Sequence, residues 1–303
     1  MSDTLYYIIC AVLVIGVLVG ISMMSKVKTT SKGNLLSALS MAAAIFLTLY
    51  KYEILNVYYL WAAMAAGLVC GIYFAGKIKM IEMPQVVALL NGFGGAASAL
   101  VAAISMQGSS DIGAFGYATG ALALVVGCIT LTGSLVAAGK LHKVLTQKSV
   151  VWKDHQVMIT LSVAVTLLTI VLTVLESGST LPWIILCALA SGFFGIAFSV
   201  RVGGADMPIT ISLLNSLSGV AGSIAGMAIN DPLLVAIGGV VGASGLLLTQ
   251  IMCKSMNRSL KDILLGKTSA PAKKVENTTS TAAPSPAVEE KTATQNEDNN
   301  SFI

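Results

Sequence analysis

Long apolar runs separated by short polar stretches repeat along the whole chain. Most runs are about 20 residues long, enough at ~1.5 Å rise per residue to cross a hydrocarbon core ~30 Å thick. Nine of them read as membrane helices, at roughly 4–24, 35–50, 55–75, 84–104, 113–139, 156–176, 182–200, 208–229 and 232–253. The second run is short for a full crossing, so the stretch 35–75 is the weakest part of the count. The runs do not alternate with period two, which argues against a membrane β-barrel. The expected fold is an all-α polytopic membrane protein with about nine transmembrane helices.

Charge supports this count and orients it. Lys26, Lys28 and Lys32 fall in the loop 25–34, Lys77 and Lys79 in 76–82, and Lys140, Lys143, Lys148 and Lys153 in 140–155. Arg201 follows in 201–207, and Lys254, Arg258, Lys261 and Lys267 come after the last run. The alternate loops hold Glu53, Asp111, Glu176 and Asp231 with one base, Lys51. Nearly every Lys and Arg thus lies on one side, which the positive-inside rule makes cytoplasmic. The N-terminus is then outside and the C-terminus inside. Tyr6, Tyr7, Tyr50, Tyr52, Tyr58, Tyr59, Trp61, Tyr117 and Trp183 sit near the outer ends, where amphipathic rings favour the interface. The leader "MSDTLYYIICAVLVIGVLVGISM" has Asp3, no base before its apolar run and no small-x-small cleavage pattern, as a retained span would.

Composition agrees: 11% of residues are charged, against about 25% in an ordinary soluble domain. The five Cys all lie inside apolar runs, without a CxxC or a Cys/His cluster, and read as small hydrophobes. Gly16/Gly20, Gly116/Gly120, Gly222/Gly226 and Gly238/Gly242 recur at the four-residue spacing that lets helices approach closely in lipid. After Lys267 the chain turns to Ala, Thr, Ser, Pro and charge, "TSAPAKKVENTTSTAAPSPAVEEKTATQNEDNNSFI". Such a stretch buries no core and is expected to be a disordered linker or tail. The expected division is a membrane domain at 1–267 and a tail at 268–303.

One phrase occurs twice: "EMPQVVALLNGFGG" at 82–95 and "DMPITISLLNSLSG" at 206–219. The copies lie four runs apart, so they cross in the same direction. This is the pattern of a parallel internal repeat, with a pseudo-two-fold axis along the membrane normal. Pro84 and Pro208 suit the first turn of a helix, and Glu82 and Asp206 just before them suit the positive end of its dipole. Asn91 and Asn215 lie seven residues past each Pro, about 10 Å into the core. A carboxamide at that depth needs partners. It serves either as interhelical glue, worth around 1 kcal/mol, or as a polar waypoint for water or protons.

No Asp, Glu, Lys, Arg or His falls in the middle of a predicted span, and His142 and His155 read as surface residues of the loop 140–155. Proton-moving proteins usually keep an ionisable group in the membrane. Here the polar groups in the spans do not titrate: Asn91, Thr132, Ser134, Asn215, Ser216, Ser218 and Ser244. A proton route would run through water bridged by amides and hydroxyls, or a partner chain would supply the titrating group. No phosphate-binding or dinucleotide fingerprint, no Ser/His/Asp set, no metal-ligand cluster and no nucleic-acid-binding pattern is present.

"KIKMIEMPQVVALLNGFGG", "TLTGSLVAAGKL", "VGGADMPITISLLNSLSG" and "IMCKSMNRS" together resemble the beta subunit of proton-translocating NAD(P) transhydrogenase, over roughly 1–266. The resemblance implies a subunit of a translocase that couples hydride transfer from NADH to NADP⁺ to inward proton movement across a bacterial plasma (inner) membrane. It implies a proton path at Asn91, Ser134 and Asn215. It also implies coupling at the cytoplasmic mouth through Asp206 and Arg258, with Glu82 as the matching acid of the first phrase. Some members carry His where this chain has Asn91, which leads us to expect an ionisable group beside Asn91 from an alpha-side helix. The NAD domain would belong to an alpha subunit, and the NADP domain would follow the membrane part in cis or act in trans. The assembled complex is expected to be a dimer. By itself this chain is expected to bind neither NAD nor NADP and to transfer no hydride. The runner-up is a secondary transporter of a small solute built on a parallel repeat, and a third reading is a purely structural membrane subunit.

Overall fold

The computed structural model describes residues 2–108, 113–175 and 180–264. Its long helices are α1 (Asp3–Met24), α2 (Thr30–Lys51), α3 (Tyr58–Lys77), α4 (Met83–Gly108), α5 (Ala114–Leu141), α6 (His155–Leu175), α7 (Thr180–Arg201), α8 (Met207–Ala228) and α9 (Pro232–Ser255); a short α10 (Leu260–Leu264) follows. The first nine are long and apolar enough to cross a membrane, and the described residues contain no strand. The predicted tail at 268–303 lies outside the described residues.

The boundaries fall within a few residues of the apolar runs, except at α2. That helix is a full 22 residues and starts five residues before its apolar run. Its first turn, Thr-Ser-Lys-Gly-Asn, is polar and therefore invisible to hydropathy. The Thr29 hydroxyl donates to the carbonyl of Met23 at 2.7 Å and that of Thr30 to Lys26 at 2.9 Å, so the α1–α2 turn is closed by side chains. The helix ends that carry the Lys and Arg residues are called the basic end below.

Helices α4, α5 and α8 pack mutually; α9 lies against α8, α7 against α5, and α6 against α7. The α1–α2 pair leans on α9 through α1. No residue of α3 is buried. Burial is greatest in α8 and α5, which therefore hold the centre of the bundle. Tyr6 and Tyr117, expected at the interface, instead turn inward into core clusters, where their rings supply packing.

The repeat is visible as geometry. In the α4–α5 hairpin, a Cβ on Gly127 would come within 2.5 Å of the Gly95 carbonyl oxygen. In the α8–α9 hairpin, a Cβ on Gly238 would come within 2.8 Å of the Gly219 carbonyl oxygen. One level toward the basic end, Gly92 packs on Ser134 and Ser216 on Gly245. The two hairpins thus match with a shift of 124 residues in the first helix and 111 in the second. The first helices of the copies also meet each other in register: Gly94 faces Ser218 and Ser98 faces Gly222, each pair separated by the same 124 positions. Equal positions face each other across a pseudo-two-fold axis between α4 and α8, as a parallel repeat requires.

Candidate functional site

Both phrase helices begin at the basic end after a single 3-10 turn, Met80–Glu82 before α4 and Gly204–Asp206 before α8. The two acids then behave differently. Glu82 folds back, its Oε2 accepting the Lys79 backbone N–H at 3.1 Å. Asp206 precedes α8 yet makes no side-chain cap. Its carboxylate, 3% exposed as a residue, instead faces Arg258, with Nε to Oδ1 at 3.3 Å. Pairing with a guanidinium, and not a side-chain cap, is what holds this acid in a buried place. Arg258 reaches it because the chain turns sharply after α9: Asn257 takes a left-handed φ of 51°, which Asn tolerates. The Arg258 N–H then closes the turn on the Cys253 carbonyl at 2.8 Å.

Further into the bundle, Asn91 is buried, and its Nδ2 donates to the backbone carbonyl of Ile211 on α8 at 3.4 Å. That carbonyl lies one turn before Asn215. Ile211 and Ser218 both face α4, and Asn215 lies between them at helical spacing on that stripe. Asn215 is half-buried. Ser134 lies across Gly92, where a glycine Cβ would stand 3.2 Å from the Ser134 Cβ. Thr130, Thr132 and Ser98 each donate to the carbonyl four residues back. Ser134 does not: its buried hydroxyl has no protein partner among the described residues, and neither does that of Ser199 on α7. Gly133 lies between them, since its Cβ would stand 3.0 Å from the Ser199 hydroxyl. An unsatisfied buried hydroxyl costs about 1–3 kcal/mol. Asn91, Ser134 and the Asn215 stripe are thus polar groups of three adjacent helices, above an ion pair at the basic end.

Two groups escaped sequence reasoning. Lys140, placed in a loop by its charge, is the last-turn residue of α5 and is fully buried at 1% exposure. Its ammonium donates to the carbonyls of Val200 (2.6 Å), Val202 (2.8 Å) and Lys148 (3.2 Å). Its three N–H donors meet two carbonyls at and just past the end of α7, which lack intrahelical partners, and one carbonyl of the α5–α6 loop. His155, expected at the surface, is 3% exposed. Its Nε2 lies 3.0 Å from the Ala197 carbonyl and its ring packs on Trp152. Only the contrast between one charge and an otherwise apolar last turn could have suggested burial of Lys140.

The model of the family described as NAD(P) transhydrogenase beta subunit matches residues 3–302. The chain belongs to that family. The NAD(P) transhydrogenase subunit beta of Rhodospirillum rubrum is 35% identical over 269 residues, covering 86% of this chain and 57% of the relative. A second sequence of the same subunit, from a strain of that species, gives the same figures. The chain therefore spans little more than half the length of the relatives it matches. As a member of the transhydrogenase beta family with nine apolar helices, it is a multi-pass membrane protein.

Proposed function

We propose that this chain is the membrane, proton-translocating part of an NAD(P) transhydrogenase. In that enzyme hydride transfer from NADH to NADP⁺ drives, or is driven by, proton movement, with nucleotide domains supplied outside residues 1–267. The observation that carries the reading is the juxtaposition of buried Asn91, the unbonded Ser134 hydroxyl and the Asn215 stripe above the Asp206–Arg258 pair. The amides and hydroxyl relay a proton through hydrogen-bonded water. The ion pair and Glu82 at the cytoplasmic mouth couple that passage to the state of an NADP site below the membrane. Occupancy of that site shifts the mouth between two states by the difference in its affinity for them. The N-terminus lies outside and the C-terminus in the cytoplasm of a bacterium, and the assembled complex is a dimer.

The repeat also supports a place for an alpha subunit. Leu214 on α8 is fully buried, while its copy Leu90 on α4 is 63% exposed. Ala228 is 8% exposed and its copy Ile104 is 67% exposed. Met207 and Ile211 are buried, whereas Met83 and Val87 are not. The face that α8 covers within this chain is bare on α4, which suits a helix of the alpha subunit bringing an ionisable group beside Asn91.

The test uses the complete complex in proteoliposomes, with a pH-sensitive dye inside and nucleotides outside. Asn215→Leu is expected to lower coupled proton movement by more than tenfold while the complex still assembles. Full coupled movement in an assembled Asn215→Leu complex would remove the proton path from this stripe.

A further inference from the structure

At its basic end the α8–α9 hairpin is closed by the chain itself. The side chain of Ile263, fully buried, sits against Ile209 of α8 and Cys253 of α9. Shifting by the repeat, Ile209 corresponds to Gln85 of α4 and Cys253 to His142 at the end of α5. Those two residues, 3.3 Å apart between Gln85 Oε1 and His142 Nδ1, line an open groove of about 460 Å³ between α4 and α5. Val86, Leu89 and Val144 form its apolar walls and Glu82 its rim. One hairpin is plugged, and its copy is not.

The reason lies in where each following segment goes. Ile263 lies ten residues after Cys253, and the residue ten after His142 is Trp152. Trp152 does not return to its own hairpin; it packs on His155 and Phe193. The stretch before it clamps the end of α7: the N–H of Val150 donates to Val200, the Ser149 hydroxyl to Arg201, and Gln147 accepts the Gly204 N–H at 2.8 Å. The segment that would plug the first hairpin is therefore engaged elsewhere. Charge points the same way. In the plugged copy the acid Asp206 meets Arg258, five residues before Ile263. In the open copy Glu82 has no Lys or Arg within 4 Å among the described residues.

The geometry points to a docking slot at the α4–α5 basic end for a short segment of a partner chain. That segment carries an aliphatic side chain about one helical turn beyond an Arg or Lys. The aliphatic group lies in the groove over the Gln85–His142 contact, against Val86, Leu89 and Val144, and the cation meets Glu82. The slot is more polar than its plugged copy, with Gln and His where the other has Ile and Cys, so its occupant can leave at modest cost where Ile263 cannot. This inference stands whether or not Asn91, Ser134 and Asn215 conduct protons.

Photo-crosslinking in the native membrane of the full chain tests it. p-Benzoylphenylalanine replaces Val144, the chain is expressed with its natural partners, and adducts are mapped by mass spectrometry. The expected result is one protein adduct, on a partner segment with a base four to six residues before an aliphatic residue. Glu82→Lys should cut its yield about tenfold and Glu82→Gln about threefold, at equal amounts of chain in the membrane. Adducts on lipid only, an adduct on this chain's own residues 265–303, an adduct on a segment without that pattern, or a yield indifferent to both Glu82 variants would each overturn the slot.

Discussion

The α4–α5 and α8–α9 hairpins share one backbone design and differ in what covers them. Both cross at facing glycines, Gly95 with Gly127 and Gly219 with Gly238. In α8–α9 Ser216 and Asp206 are satisfied within the chain: Ser216 donates to the Gly242 carbonyl at 2.6 Å and Asp206 pairs with Arg258. At the same level of α4–α5 the serine sits on the other helix, as Ser134 across Gly92, and has no protein partner among the described residues, while Glu82, the copy of Asp206, caps a turn. Duplication preserved the close contact of small residues, because that contact leaves no room for change. It left the ends and the outward faces free to diverge. In one copy both faces of the first helix, α8, are covered by the chain itself, and in the other Asn91 and Ser134 stay buried while another face of α4, with Leu90 and Ile104, is bare.

The comparison breaks most completely at its glycines. Gly238→Leu places a side chain against the backbone of α8, whereas at Gly239 the nearest atom to a new Cβ is the Ser223 hydroxyl at 3.7 Å. Gly238→Leu should leave almost no monodisperse chain in detergent by fluorescence size exclusion, while Gly239→Leu stays near wild type. Next come the paired leucines. Leu214→Ala empties a buried position and should cost about 2–5 kcal/mol. Leu90→Ala, on the bare copy, should cost under about 0.5 kcal/mol in the isolated chain. Denaturant titration in mixed micelles checks both, and equal losses would contradict the asymmetry.

The paired acids give a smaller difference. Asp206→Asn removes the charge beside Arg258 and should cost about 1.5–3 kcal/mol. Glu82→Gln should stay within about 0.5 kcal/mol by the same titration. Smallest is Asn91→Ala, which removes one long interhelical hydrogen bond worth around 1 kcal/mol or less. A loss well above that would mean that Asn91 is chiefly structural.

Span number and the repeat were legible because lipid imposes a length on each apolar run and the two phrases keep one register. The start of α2 was not, since its first turn is held by Thr29 and Thr30 hydroxyls and carries no apolar signal. The positions of Asn91, Ser134 and Asn215 on helices followed from register, and the copies place Asn91 and the Asn215 stripe face to face. That Asp206 pairs with Arg258 had no local signature: 52 residues separate them, and a turn at Asn257 brings them together. Lys140 and His155 were misplaced for one reason. Charge and polarity in a loop suggest solvent, but Lys140 reaches back to the orphan carbonyls at the end of α7 and His155 packs on Trp152 and meets the Ala197 carbonyl.

The central claim is that protons pass between α4 and α8 at the level where equal positions of the two copies meet. Gly94 and Ser218 mark that level, with a Gly94 Cβ standing 4.0 Å from the Ser218 Cβ, within the span of a disulfide at about 3.5–4.5 Å. The direct measurement is coupled proton movement by the complete complex carrying Gly94→Cys and Ser218→Cys, before oxidation, after it, and after reduction. The account predicts that the bond forms, that it lowers coupled proton movement by more than tenfold, and that dithiothreitol restores it. A crosslinked complex that moves protons at the unlinked rate, or a pair that never forms the bond in the membrane, would contradict it.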